Sequence, residues 1–253
     1  MTIAIITGAS SGVGREFAIQ LKNEYSEIDE FWIIARRAER LQQLAEEMKP
    51  TNCKILVMDL SLESSYDKLQ NLLINQQPQV KILLNNSGVG VLSNVIEMDV
   101  KSQINMCDVN VKALTAVTTV VLPYMVKGGT IINISSIASF APTPKMTVYS
   151  ATKAYVSAYS RGLNYELKDR GVNVLAICPG PMDTEFLSVA GITQKGSKTF
   201  DTLPHTKVEF VVRGAIKAAK KGKAFYTPKL IFKIYRVLAK LLPHALIVKF
   251  SKC

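Results

Sequence analysis

The sequence predicts a doubly wound α/β domain, a seven-stranded parallel sheet flanked by helices on both faces. Two observations predict it. Short apolar runs rich in Ile, Val and Leu recur at 2–7, 31–35, 54–58, 80–85, 129–134, 173–178 and 223–227, and amphipathic stretches near 12–24, 38–48, 61–75, 101–126, 147–170 and 207–220 separate them. Uninterrupted apolar runs fit strands covered on both faces, and strand–helix alternation means right-handed βαβ crossovers. The 253 residues, 48% hydrophobic and 20% charged, suit one globular domain with a sizeable core. The irregular stretch 179–206 reads as a lid.

Four scattered cysteines, Cys53, Cys107, Cys178 and Cys253, contain no Cys-x-x-Cys pair, so reduced thiols and no metal site are expected. The first strand begins at once, so no signal peptide is expected, and no uncharged apolar run reaches membrane-spanning length. A cytoplasmic protein is expected, with peripheral membrane contact open. The net charge of +11 is local. Residues 1–206 balance 19 basic against 19 acidic side chains, while 207–253 hold 12 Lys/Arg and only Glu209. A uniformly basic nucleic-acid binder would not look like this. Residues 229–253 therefore read as a basic amphipathic extension to a domain of residues 1–228. In it, Ile231, Ile234, Tyr235, Leu238, Leu241 and Leu242 are expected on one helical face and Lys229, Lys233, Arg236 and Lys240 on another, before Pro243 breaks the helix. Such a helix either lies on an anionic membrane or docks on protein.

Thr7-Gly8-Ala9-Ser10-Ser11-Gly12-Val13-Gly14 follows the first strand and opens the first helix. Gly8 can turn where a Cβ would forbid it, Gly12 admits a pyrophosphate, and Gly14 lets helix and sheet approach. The helix N-terminus offers free N–H groups to phosphate. Arg36 and Arg37 end the second strand, where this fold meets the adenosine ribose. An acid there favours NAD, whereas arginine suits a 2′-phosphate, so NADP(H) is expected and NAD(H) less so. Asp59, followed by Leu60, is placed to accept from the adenine amino group or to cap a helix.

Tyr149 and Lys153 stand at i and i+4, one face of one helix. A cation beside a phenol lowers its pKa from about 10 toward the range useful for proton transfer.

With these residues in place, the chain resembles the single-domain branch of the short-chain dehydrogenase/reductase family, whose fold is of the Rossmann type. The glycine turn is Thr7 to Gly14, and Asn85-Asn86-Ser87-Gly88 carries serine where the family has alanine. Val109-Asn110-Val111, Ser135-Ser136, Tyr149/Lys153 and Pro179-Gly180-Pro181-Met182-Asp183-Thr184 follow in the family's order. The resemblance implies hydride transfer between a nicotinamide and a small-molecule carbonyl or alcohol. It implies Tyr149 as acid/base and Lys153 as holder of the ribose and modulator of the tyrosine. Ser136, chosen over Ser135 on spacing, would orient the substrate oxygen, and Asn110 a water on the proton path. Asn86, Ser87, Gly88, Pro179, Gly180, Met182 and Thr184, with Ser10, Ser11 and Val13, would touch the cofactor. It also implies a homo-oligomer paired through the two long helices. Phe140, Ala141, Pro142, Met146, Phe186, Leu187, Val189 and Ile192 are expected to line an apolar, lipid-like (steroid-like or 3-oxoacyl) substrate pocket. A non-catalytic NADP(H)-binding regulator or a membrane-peripheral scaffold is the alternative, and the intact Ser/Tyr/Lys set weighs against it.

Overall fold

The apolar runs form β1 (Thr2–Thr7), β2 (Glu30–Ala35), β3 (Asn52–Val57), β4 (Gln79–Asn85), β5 (Met125–Ile134), β6 (Asn173–Ile177) and β7 (Phe225–Tyr226). The computed structural model describes residues 1–192 and 202–250. The strands make one parallel sheet in the order β3-β2-β1-β4-β5-β6-β7. Alternate side chains enter two separate cores, as the period of a strand dictates. Ala4, Ile6, Phe31 and Ile33 meet Phe17, Ala18 and Leu21 of α1 (Gly12–Glu24), Leu41 and Leu44 of α2 (Ala38–Glu47), and Val211, Val212 and Ala215 of the later helix Val208–Lys220. On the other face Ile3, Ile5, Trp32 and Ile34 join Leu69 and Leu73 of α3 (Glu63–Gln76), and Val117, Val121 and Leu163 of later helices.

The expected helix 101–126 is interrupted. It comprises α4 (Val100–Cys107), a π-turn at Asp108–Lys112 and α5 (Ala113–Val121), and closes with a 3₁₀ turn at Leu122–Tyr124. The extra residue of a π-turn redirects local side chains, and Asn110 lies at its centre. Met125 then already belongs to β5, earlier than expected. Pairing skips from Val80↔Met125 to Ile82↔Thr130, and Gly128 adopts φ +77° in the bulge. Val100–Tyr124 as a whole has the length and hydropathy of a membrane span. Lys101, Asp108 and Lys112 punctuate it, however, and Ala113, Val117 and Val121 pack on the sheet.

The chain continues with α6 (Thr147–Glu166), a short α7 (Glu185–Val189), α8 (Val208–Lys220), α9 (Leu230–Leu241) and α10 (His244–Phe250). The expected lid, 179–206, lies outside the described residues at 193–201, as does Cys253. The domain covers only one flank of α9. Phe232 and Ala239 are its buried residues, with Tyr235 and Arg236 half-buried beside them; Ile234, Leu238, Leu241 and Leu242 are exposed, and Ile231, also exposed, borders the cavity described below. Aromatic packing decides this. Phe140 packs at a tilt against Tyr235 and Phe225, and the Arg236 guanidinium lies 4.2 Å from the Phe225 ring centroid.

Candidate active site

Sheet order reverses direction between β1 and β4, and a cleft opens at the C-terminal ends of these strands, as expected of a topological switch point. A cavity of about 650 Å³ extends from this cleft along the sheet toward α9.

The phosphate end is built by the turn after β1. Gly8 (φ +65°) and Gly12 (φ +52°) hold left-handed conformations. A Cβ on Gly14 would stand 2.3 Å from the Gly8 carbonyl oxygen, so only glycine lets α1 begin there. Asn86 braces the turn: its Nδ2 donates to the Thr7 and Gly8 carbonyls (3.2 and 3.0 Å). The Thr7 hydroxyl oxygen accepts from the Asn86 and Ser87 amides at 3.0 and 3.1 Å. The result is a fixed cradle of backbone facing the start of α1, whose N-cap residue Ser11 supplies no side-chain bond to the helix. These features fit a nucleotide pyrophosphate.

Beside it, the Arg37 guanidinium donates to the Ser10 hydroxyl (3.1 Å), the Ser11 hydroxyl (2.8 Å) and Glu185 of α7 (2.9 Å). Arg40 also pairs with Glu185, and the two guanidiniums, Arg40 first, hold the Glu185 carboxyl down at about 2. Arg36 is more exposed and lies 3.9 Å from Asp59. The other Asp59 oxygen is engaged by the Ser61 amide and hydroxyl at 3.0 and 2.8 Å. Burial tends to raise the Asp59 carboxyl, but these bonds and Arg36 outweigh it and bring it below the ordinary value.

The chemical end is assembled by β5, α6 and the segment after β6. Ser136 follows β5; its hydroxyl accepts from the Ala138 amide at 3.1 Å and lines the cavity together with Tyr149. Ser135 turns the other way: buried, it donates to the Lys153 carbonyl and contacts Ser157, each at 2.8 Å. Tyr149 is 8% and Lys153 5% exposed. Lys153 Nζ lies 5.7 Å from the Tyr149 ring centroid and donates to the Ile134 carbonyl at 2.8 Å. Burial pushes the Tyr149 phenol up to about 12, with Ser136 opposing, and brings the Lys153 ammonium down to about 8. Lysine was expected to lower the tyrosine pKa; in the protein alone, desolvation of both groups governs instead. The phenol is therefore held as a proton donor.

All the expected cofactor-contacting residues line the cavity except Gly14, which packs beneath the turn. Asn110 is also outside it. Its side chain accepts from the Val89 amide and donates to the Val89 carbonyl (2.8 Å each), and it donates to Thr152 (3.0 Å). It thus ties the segment after β4 to α6. Of the expected apolar lining, Met146, Phe186, Leu187 and Val189 face the cavity. Phe140 and Ala141 instead pack beneath α9 and α10, Ile192 packs in a core with Leu92 and Met106, and Pro142 does not line the cavity. Sequence reasoning missed the far wall, Phe232 and Tyr235 of α9 with Ile247 of α10. Spacing of Phe232, Tyr235 and Ala239 at i, i+3 and i+7 was the available signal. It missed Glu185 as well, which no local pattern marks. Among the described residues no three His, Cys, Asp or Glu side chains cluster as metal ligands.

The sequence model described as short chain dehydrogenase matches residues 2–195. The chain belongs to the short-chain dehydrogenase family. An uncharacterized oxidoreductase of Staphylococcus epidermidis is 34% identical over 184 residues, covering 72% of this chain and 78% of that one. A short-chain dehydrogenase from Sphingobium yanoikuyae, solved in complex with NADPH, superposes with TM-score 0.80 at 26% identity over 97% and 98% of the two chains. A short-chain dehydrogenase/reductase from Burkholderia phymatum, solved with NAD, shares the fold: TM-score 0.83 at 19% identity, covering 94% and 92%. This short-chain dehydrogenase is accordingly an oxidoreductase that uses a nicotinamide cofactor on alcohol or carbonyl groups.

Proposed function

We propose that this protein is an NADP(H)-dependent dehydrogenase/reductase that interconverts an apolar, lipid-like ketone, steroid-like or 3-oxoacyl, and its alcohol. One observation carries the reading. A single cavity has Arg36 and Arg37 at one end, and at the other the Tyr149–Ser136 pair among Met146, Phe186, Leu187, Phe232 and Tyr235. The glycine cradle would hold the pyrophosphate, the arginines the 2′-phosphate, and Lys153 the ribose beside the nicotinamide. When bound, that cofactor supplies the hydride equivalent.

The chain's own residues do the rest. Ser136 and Tyr149 present two hydroxyls to one substrate oxygen, which fixes its position. Tyr149, protonated throughout the neutral range, gives its proton to that oxygen in reduction and takes it back in oxidation. Asn110, locked to Val89 and Thr152, positions α6 and so the tyrosine. The apolar wall excludes water and binds the substrate skeleton.

Among the described residues Cys53, Cys107 and Cys178 are free thiols, which supports a reducing, cytoplasmic setting. Exposed Ile104 on α4 and Tyr155 on α6 support pairing of copies through the long helices. The test is NADPH oxidation across a panel of steroid ketones, 3-oxoacyl thioesters, aldehydes and sugars, with NADH in parallel. Turnover of apolar ketones with NADPH preferred is the expected result. Preference for sugars, or for NADH, overturns the corresponding half of the reading.

A further inference from the structure

α9 has two faces, and only one is used. Phe232 and Ala239 are buried toward the domain, whereas Leu230, Ile234, Val237, Leu238 and Leu241 on the opposite side are 45–75% exposed. Leu246 of α10 adds to this surface at 47%. One exposed leucine needs no explanation; a contiguous row of them does. Exposed Lys233 and Lys240 edge the row. No Asp or Glu occurs anywhere after Glu209. The helix is 12 residues long, roughly 18 Å, which is too short to span a bilayer but long enough to lie along one.

We propose that α9 docks on an anionic lipid bilayer. Its outer row enters the boundary between headgroups and acyl chains, and its lysines meet the lipid phosphates. An apolar stripe with basic edges and no acidic residue is the pattern that binds such an interface. A second copy of the chain is a poorer occupant, because symmetric pairing through this face sets the lysines of one copy against those of the other.

The placement also bears on the cavity. Ile231 and Val189 line it and are more than half exposed, so its open side lies beside the docking row. An apolar ketone dissolved in the bilayer thus meets the mouth without crossing water. That consequence rests on the proposed function; the docking itself does not.

The experiment is flotation of the purified full-length protein with phosphatidylcholine vesicles, with and without phosphatidylglycerol, at low and high salt. Binding that requires phosphatidylglycerol and weakens with salt is expected. Lys233→Gln/Lys240→Gln should lower partitioning roughly 30-fold, about fivefold for each lysine removed. Ile234→Asn/Leu241→Asn should abolish it, while thermal unfolding and turnover of a water-soluble ketone stay at the wild-type level. The proposal is overturned by failure to float with anionic vesicles, or by binding that survives both variants. It is also overturned if wild type is a dimer in sedimentation that Ile234→Asn/Leu241→Asn dissociates. Flotation needs no turnover, so a protein that floats but reduces nothing fails only the functional reading, and one that reduces ketones without floating fails only this one.

Discussion

The two ends of the cavity are built on different plans. At the phosphate end the parts are close in sequence: residues 8–14 form the cradle, and Arg36 and Arg37 follow the neighbouring strand. Its polar groups are largely spoken for by hydrogen bonds within the protein. At the chemical end, Ser136, Tyr149, Phe186 and Phe232 come from four separate segments, and burial is the dominant force on the titratable pair. The lesson is a division of labour. One end is a stiff polar mould whose geometry is set by backbone, and the other is an apolar chamber whose chemistry is set by desolvation.

Removing one atom from the chamber should produce the largest effect. Tyr149→Phe deletes only the proton donor, so kcat should fall about 10²- to 10⁴-fold while NADPH affinity, read by fluorescence titration, stays unchanged. Equal loss of binding would mean that the two ends are not separable.

The mould should respond next, and unequally at its two arginines. Arg36→Ala should cost roughly 10- to 100-fold in kcat/KM with NADPH and nothing with NADH, the expected size of a lost charge-assisted bond to the 2′-phosphate. Arg37→Ala should weaken both cofactors, because its guanidinium also braces Ser10 and Ser11. A matched loss for both variants would assign both arginines to the phosphate alone.

Titration separates the ends again. Tyr149 is protonated well above neutrality, so an alkaline limb in kcat/KM for reduction belongs to Lys153, charged below about 8 and neutral above it. Activity should fall as the pH rises through about 8, roughly tenfold per unit once well past it. Lys153→Met should be less active and lack that limb. A limb that persists in the variant would assign it to another group.

The smallest effect should come from the Glu185 clasp that links α7 to the mould. Glu185→Gln frees Arg37 and Arg40, and NADPH affinity should change less than about fivefold, since the pair is largely exposed. The Glu185 carboxyl is depressed from 4.5 to about 2, so the clasp is fully formed above pH 4.5 and is lost as the pH falls through about 2. The difference in thermal midpoint between wild type and variant should follow that window.

Legibility in the sequence tracked the same division. The glycine turn, Arg36 and Arg37, and Tyr149 with Lys153 were readable because each obeys a short spacing with one physical meaning. Phe140 and Ile192 were misassigned because an apolar residue near a catalytic one packs inward or lines the site according to neighbours that are distant in sequence. Which side of α9 the domain covers was not legible for a related reason. Both of its sides are apolar, and periodicity alone cannot say which side a domain will cover.

By itself, then, the sequence determined the order of strands and helices, the strand-buried cores and the identity of the polar groups, since these follow from period, turn chemistry and local spacing. Tertiary structure alone decided which way Ser135 and Ser136 turn, that Asn110 braces Val89, that Glu185 reaches Arg37 and Arg40, and that Phe232 closes the cavity. Those facts depend on long-range packing and on the dielectric it creates. The displaced pKa values of Tyr149 and Lys153 belong with them, because neither shift exists until the chain has folded around the pair.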